Sequence, residues 1–120
     1  LRVVWDAVNS WQGGFADITA DYAAVKDILG IVHLRGAIAR PNDPLVFGSS
    51  EVLGDDMFPN RTIVDWLVRD RFCGQITLDL SLGQIERYQN KTLSGAEISR
   101  ISLERMTTMV REAINNNQKR

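Results

Sequence analysis

Three short apolar runs stand out from the polar background of this chain, and none of them alternates. Val3-Val4-Trp5, Ile31-Val32 and Ile76-Thr77-Leu78 are apolar on nearly every position, the pattern of strands buried on both faces in a parallel sheet. They predict strands near residues 2–6, 31–35 and 75–80. Helical spacing fills the intervals. Tyr22, Val25, Ile28 and Leu29 share one face of a helix near 20–29, and Gly30 stands where a helix ends in a left-handed turn. Ile63, Trp66 and Leu67 mark a second helix near 62–70. Ser94-Gly95-Ala96-Glu97 reads as a capping box opening a third helix near 95–114, with Ile98, Ile101, Met106, Met109, Val110 and Ala113 inward. Residues 9–14 read as a loop, 81–91 as a loop with a short helical turn, and 115–120 as a polar tail. The stretch from Gly36 to Pro59 holds all three prolines and three of the nine glycines. It reads as a long connection of the kind that is functional or mobile.

A strand, helix, strand, helix, strand, helix order is the α/β rhythm. Parallel crossovers place such strands side by side in chain order with helices over one face. Three curved parallel strands cannot close on themselves, and both edges keep unpaired backbone groups. The expected fold class is therefore α/β, a partial (β/α)8 TIM barrel made of about the last three βα units, with residues 1–120 as one carboxyl-terminal portion. The chain enters its first strand at once without an initiator Met, which reads as a piece of a longer protein.

Composition narrows the function classes. A length of 120 residues suits one domain, and the net charge of -1 gives no electrostatic case for nucleic acid or an anionic membrane. No run approaches the ~18 apolar residues that span a bilayer. The single cysteine, Cys73, excludes an internal disulfide, suits a cytoplasmic location and reads as an ordinary semi-buried thiol. Asn60-Arg61-Thr62 and Asn90-Lys91-Thr92 match glycosylation sequons, but such tripeptides are common by chance and no signal peptide accompanies them.

Each apolar run ends in a residue able to hold a metal: Asp6, His33 and Asp79. Side chains at the carboxyl ends of neighbouring parallel strands gather at one rim, where α/β proteins place their chemistry. Alone, each has a plainer account, a loop cap for the aspartates and a hydrogen-bonded structural residue for the only histidine. Their matching positions favour a shared divalent-ion site. Asn9 and Trp11 fall on the loop after Asp6, where an amide and an aromatic ring can meet a sugar. Arg35 and Arg40 follow the second strand, where a phosphate or sugar hydroxyls can be held; a solvated loop arginine is the plainer reading of both. Glu51, Asp55 and Asp56 form an acidic patch, read as surface solvation before ion binding.

Taken in order, Val3-Val4-Trp5-Asp6-Ala7-Val8-Asn9, Ile31-Val32-His33-Leu34-Arg35-Gly36, Leu53-Gly54-Asp55-Asp56 and Gly74-Gln75-Ile76-Thr77-Leu78-Asp79 resemble the carboxyl-terminal part of the xylose isomerase-like barrels. That superfamily includes sugar isomerases and epimerases, inosose dehydratases and the endonuclease IV group. The resemblance covers about residues 3–80. It implies a divalent ion (Mn, Mg, Co or Zn) held by Asp6, His33 and Asp79 with one ligand from a preceding strand, and proton transfer next to the carbonyl of a sugar or sugar phosphate. Asp79 takes the catalytic role, with Asn9, Trp11, Arg35 and Arg40 on the substrate. Asp79 stands where the family has Glu, about 1.5 Å shorter in reach, a displacement able to cost about 10²-fold in rate. Asn9 stands for a frequent His, and Asp56 for the second Gly of a turn. A degenerate barrel that binds a sugar or a protein partner is the alternative. The endonuclease branch fits poorly with one histidine and a near-neutral charge. The oligomeric state, a homo-oligomer included, is left open.

Overall fold

The computed structural model describes residues 1–14 and 17–119. Strands β1 (Val3–Asp6), β2 (Leu29–Leu34) and β5 (Gln75–Leu78) form one parallel sheet in the order β1-β2-β5. The strands thus lie side by side in chain order, as the crossover rule requires. The described residues make a mixed α/β structure with an open sheet and no closed barrel. Helices α1 (Ala7–Gln12) and α2 (Ile18–Val25) connect β1 to β2. Strands β3 (Gly36–Arg40) and β4 (Asp43–Glu51) and helix α3 (Asn60–Arg69) connect β2 to β5. Helices α4 (Glu86–Gln89) and α5 (Gly95–Gln118) complete the chain.

Alternation along the strands divides the sheet into two unlike faces. Trp5, Val32 and Leu34, with Val3, Ile76 and Leu78, pack against Tyr22, Ile63, Val64, Leu67, Met109 and Ala113 of the helices. The opposite face carries Val4, which is 57% exposed, together with Ile31, Gln75 and Thr77. The non-alternating runs predicted burial on both faces. Among the described residues the helix side is the better covered: on the other face Val4 is exposed and Ile31 partly so, while Asp6 at its carboxyl end is buried.

Several predicted elements are corrected. Residues 9–12 are not loop but the last four residues of α1, whose N-cap is Asp6, its side chain accepting from the Asn9 amide. A helix of six residues is too short to show a 3.6-residue period. The helix expected over 20–29 ends at Val25 and passes through a single tight turn, Lys26–Ile28, into β2. Gly30 is consequently a strand residue and not a helix stop. The connection from Gly36 onward is an antiparallel hairpin. Pro41 and Pro44 made it read as loop, yet Pro44 is tolerated in a strand paired on one side only. Gly36 is required there, because a Cβ at this position would collide with the Glu51 carbonyl of β4. The capping box at Ser94 and Glu97 forms as expected, and α5 runs through the supposed polar tail as far as Gln118. Cys73 is exposed and not semi-buried.

The acidic patch is structural. Glu51 and Asp55 pair with Arg87, and Asp55 also pairs with Arg105 of α5. Asp56 accepts from the backbone amides of Ala37 and Gly54. The left-handed residue of that turn is Gly54 (φ 92), so Asp56 is spared a conformation that disfavours it. Asn60 is buried, donating to the Arg35 carbonyl, and its sequon is inaccessible.

Candidate metal centre

Parallel pairing brings the three candidate ligands together. Asp6 lies opposite His33 in the β1–β2 register, and His33 opposite Thr77 in β2–β5. Asp79, two residues beyond Thr77 and so on the same face, continues the ladder by donating its amide to the Leu34 carbonyl. The result is a set of one oxygen from Asp6, one imidazole nitrogen from His33 and one oxygen from Asp79, all within 4.8 Å of one another. His33 Nδ1 is 4.0 Å from Asp79 Oδ2. Asp6 ends β1, His33 lies next to the end of β2 and Asp79 directly follows β5, so all three sit at the carboxyl ends.

The three groups meet different surroundings. His33 and Asp79 are about one-third exposed in their side chains, at 32% and 38%, whereas the Asp6 side chain is 4% exposed. Asp6 Oδ1 is occupied by the α1 cap. Asp6 Oδ2 is buried and has no hydrogen-bond partner among the described residues. A buried carboxylate oxygen left bare is costly, and groups of this kind call for an ion or water.

Arg35 is where sequence reasoning went furthest astray. In place of a solvated loop position, it occupies the one residue between β2 and β3 and is buried. Its guanidinium donates to Asn9 Oδ1 at 2.6 Å, Gln12 Oε1 at 3.1 Å and Ser81 Oγ at 2.9 Å, and lies 3.9 Å from Asp6 Oδ1. Ser81 in turn donates to Asp79 Oδ1 at 3.3 Å and holds a left-handed backbone (φ 49). One buried cation therefore reaches Asp6 directly and Asp79 through Ser81. Gln12 and Ser81 were missed. Neither carries a motif, and their roles arise only when α1 and the β5 terminus converge on Arg35.

The remaining predicted residues divide. Asn9 joins the site through Arg35. Trp11 is turned to the hairpin: its ring stacks on Phe58, meets Phe47 edge-on, and its Nε1 donates to the Leu45 carbonyl. Arg40, exposed at the end of β3, lies beside Trp11 and is not among the residues around Asp6.

The donor set suits a divalent ion. Two carboxylates and one imidazole are hard to intermediate ligands of the kind chosen by Mn, Co and Zn, with Mg less favoured by nitrogen. Set against two carboxylates, Arg35 leaves a net deficit of one positive charge when the imidazole is neutral. Comparison with protein family models, curated proteins and solved structures finds no match to this chain. Among the described residues no helix is long and apolar enough to cross a membrane.

Proposed function

We propose that Asp6, His33 and Asp79 bind a divalent metal ion, and that the chain is the carboxyl-terminal part of a xylose isomerase-like barrel acting on a sugar or sugar phosphate. The Asp6 carboxylate carries this reading: one of its oxygens lies within 4.8 Å of His33 and Asp79, and its Oδ2 is buried and bare. Grouped acids at a surface are common without an ion; the desolvated Asp6 oxygen adds a demand that an ion or a water would meet. Further support comes from the chain-ordered parallel strands, the ligands at their carboxyl ends, and the partly exposed sheet face opposite the helices, which is the side a barrel interior would occupy.

When bound, such an ion polarises a carbonyl and stabilises negative charge developing beside it. The side chains divide the remaining work. Asp79 is exposed enough to exchange a proton with a substrate carbon. Arg35 fixes the Asn9 amide, Gln12 and Ser81, so the polar lining is held before substrate arrives. The Asp-for-Glu difference does not take Asp79 out of reach of the other two ligands.

Titration of the chain with Mn and Zn, followed by calorimetry, tests the site. One ion per chain is expected, with Asp6→Asn, His33→Ala and Asp79→Asn each weakening binding by more than about 100-fold. Deuterium wash-in from heavy water, beside the carbonyl of a ketose, tests the reaction and should vanish with a chelator. Failure to bind either ion in the intact chain overturns the reading. The non-catalytic alternative has one observation of its own: Arg35, buried at 3.9 Å from Asp6, is an internal counter-charge that lets the cluster persist without metal. A chain that stays metal-free yet binds a sugar would favour it.

A further inference from the structure

A second site lies away from the carboxylates, between the β3–β4 hairpin and α1. The cavity has a volume of about 450 Å³ and is walled by Trp11, Ile38, Pro44, Leu45 and Phe58, with Arg40 as its one charged residue. Volumes of a few hundred Å³, apolar walls and a single placed charge are the usual make-up of small-molecule sites. Trp11 is a rigid part of the wall. Its ring stacks on Phe58 at 5.6 Å with planes 20° apart, Phe47 meets it edge-on, and its only donor is spent on the Leu45 carbonyl. Two of the lining residues, Leu45 of the hairpin and Met57 of the segment before α3, are 75% and 84% exposed, a local apolar surface of the kind that marks binding sites.

Arg40 supplies the polarity. Its guanidinium makes no hydrogen bond or ion pair among the described residues, while Asp43, which faces it across the turn, turns its carboxylate to the Leu45 amide at 3.2 Å. A ligand filling this cavity must therefore offer an apolar, preferably flat body and one negative charge. A sugar fits this chemistry less well, since most of the lining is apolar and its hydroxyls would lose water for few partners.

We infer that the hairpin cavity is a binding site for a small organic anion with a flat apolar body, such as an aromatic carboxylate, separate from the metal centre. The inference does not rest on the ion: a chelator should leave binding at the hairpin cavity unchanged.

NMR of the full 120-residue chain titrated with naphthoate, and separately with neutral naphthamide, tests it. Saturable shifts are expected at the Trp11 indole N–H and at the methyls of Ile38 and Leu45. Arg40→Gln should weaken naphthoate by about fivefold, the scale of an exposed charge pair, and Arg40→Glu should weaken it further; both should leave naphthamide unaltered. Arg40 is exposed, so neither variant endangers the fold. Absence of saturable shifts at these groups overturns the inference, as does an equal loss of both ligands in Arg40→Gln. Movement of the same signals on dilution without ligand would assign the cavity to a second copy of the chain and likewise overturn it.

Discussion

Arg35 shows how far a single residue can depart from its sequence environment. Placed just after an apolar strand and just before Gly36, it reads as the first residue of a loop, and composition has no means of revealing that Asn9, Gln12 and Ser81 will converge on it. Asp6, His33 and Asp79, by contrast, were legible because strand register translates position directly into proximity. The difference follows from the geometry: a parallel ladder relates residues linearly, whereas side chains from a helix and a turn meet by packing. Replacing Arg35 with Met should lower stability by about 3–5 kcal/mol, the cost of removing one partner from a buried charge pair, measured by urea denaturation. Added Mn should recover more stability in Arg35→Met than in the natural chain, since an ion would then answer a carboxylate that has lost its only cation. Equal recovery in both would separate Arg35 from the metal centre.

Among the elements, the parallel strands and the long terminal helix were readable and the hairpin was not. Val3–Asp6 and its counterparts carry continuous apolar runs. Residues 36–51 instead mix two prolines and two glycines with short apolar stretches, and the β3–β4 register slips near Ala39, which destroys the alternation that would betray a strand. The hairpin depends on close backbone approach at Gly36. Gly36→Ala should destabilise by about 1–3 kcal/mol through overpacking against β4, visible as a lower denaturation midpoint with an unchanged slope. The last helix depends on its start: Ser94→Ala removes the capping box and should cost about 1 kcal/mol.

Across the molecule, acid stability follows from carboxylates committed to partners. The hydrogen bond from Arg69, with help from Tyr22, holds Asp70 down to about 2. Burial pushes Asp55 upward, but Arg87 and Arg105 outweigh it and keep it below its ordinary value, while the Ser94 amide and hydroxyl lower Glu97. For such groups the stabilisation is complete above the ordinary carboxylate range and is lost as pH falls through the folded-state values. Asp56 opposes them, its burial raising it, so its contribution is largest in acid. The natural chain should lose stability as pH drops from about 4 towards 2, followed by circular dichroism at fixed temperature. Asp70→Asn should be less stable at neutral pH and show a shallower acid slope; an unaltered slope would remove Asp70 from the account.

Because β2 is flanked by β1 and β5, its amides face a neighbour whichever way they point, while each outer strand turns alternate amides away from any partner within the described residues. Solvent deuterium should therefore enter the sheet from its rims inward. Ile31, Val32 and His33 would retain their protons longest, and the outward amides of Val3–Asp6 and Gln75–Leu78 would surrender theirs by local fraying long before the chain unfolds.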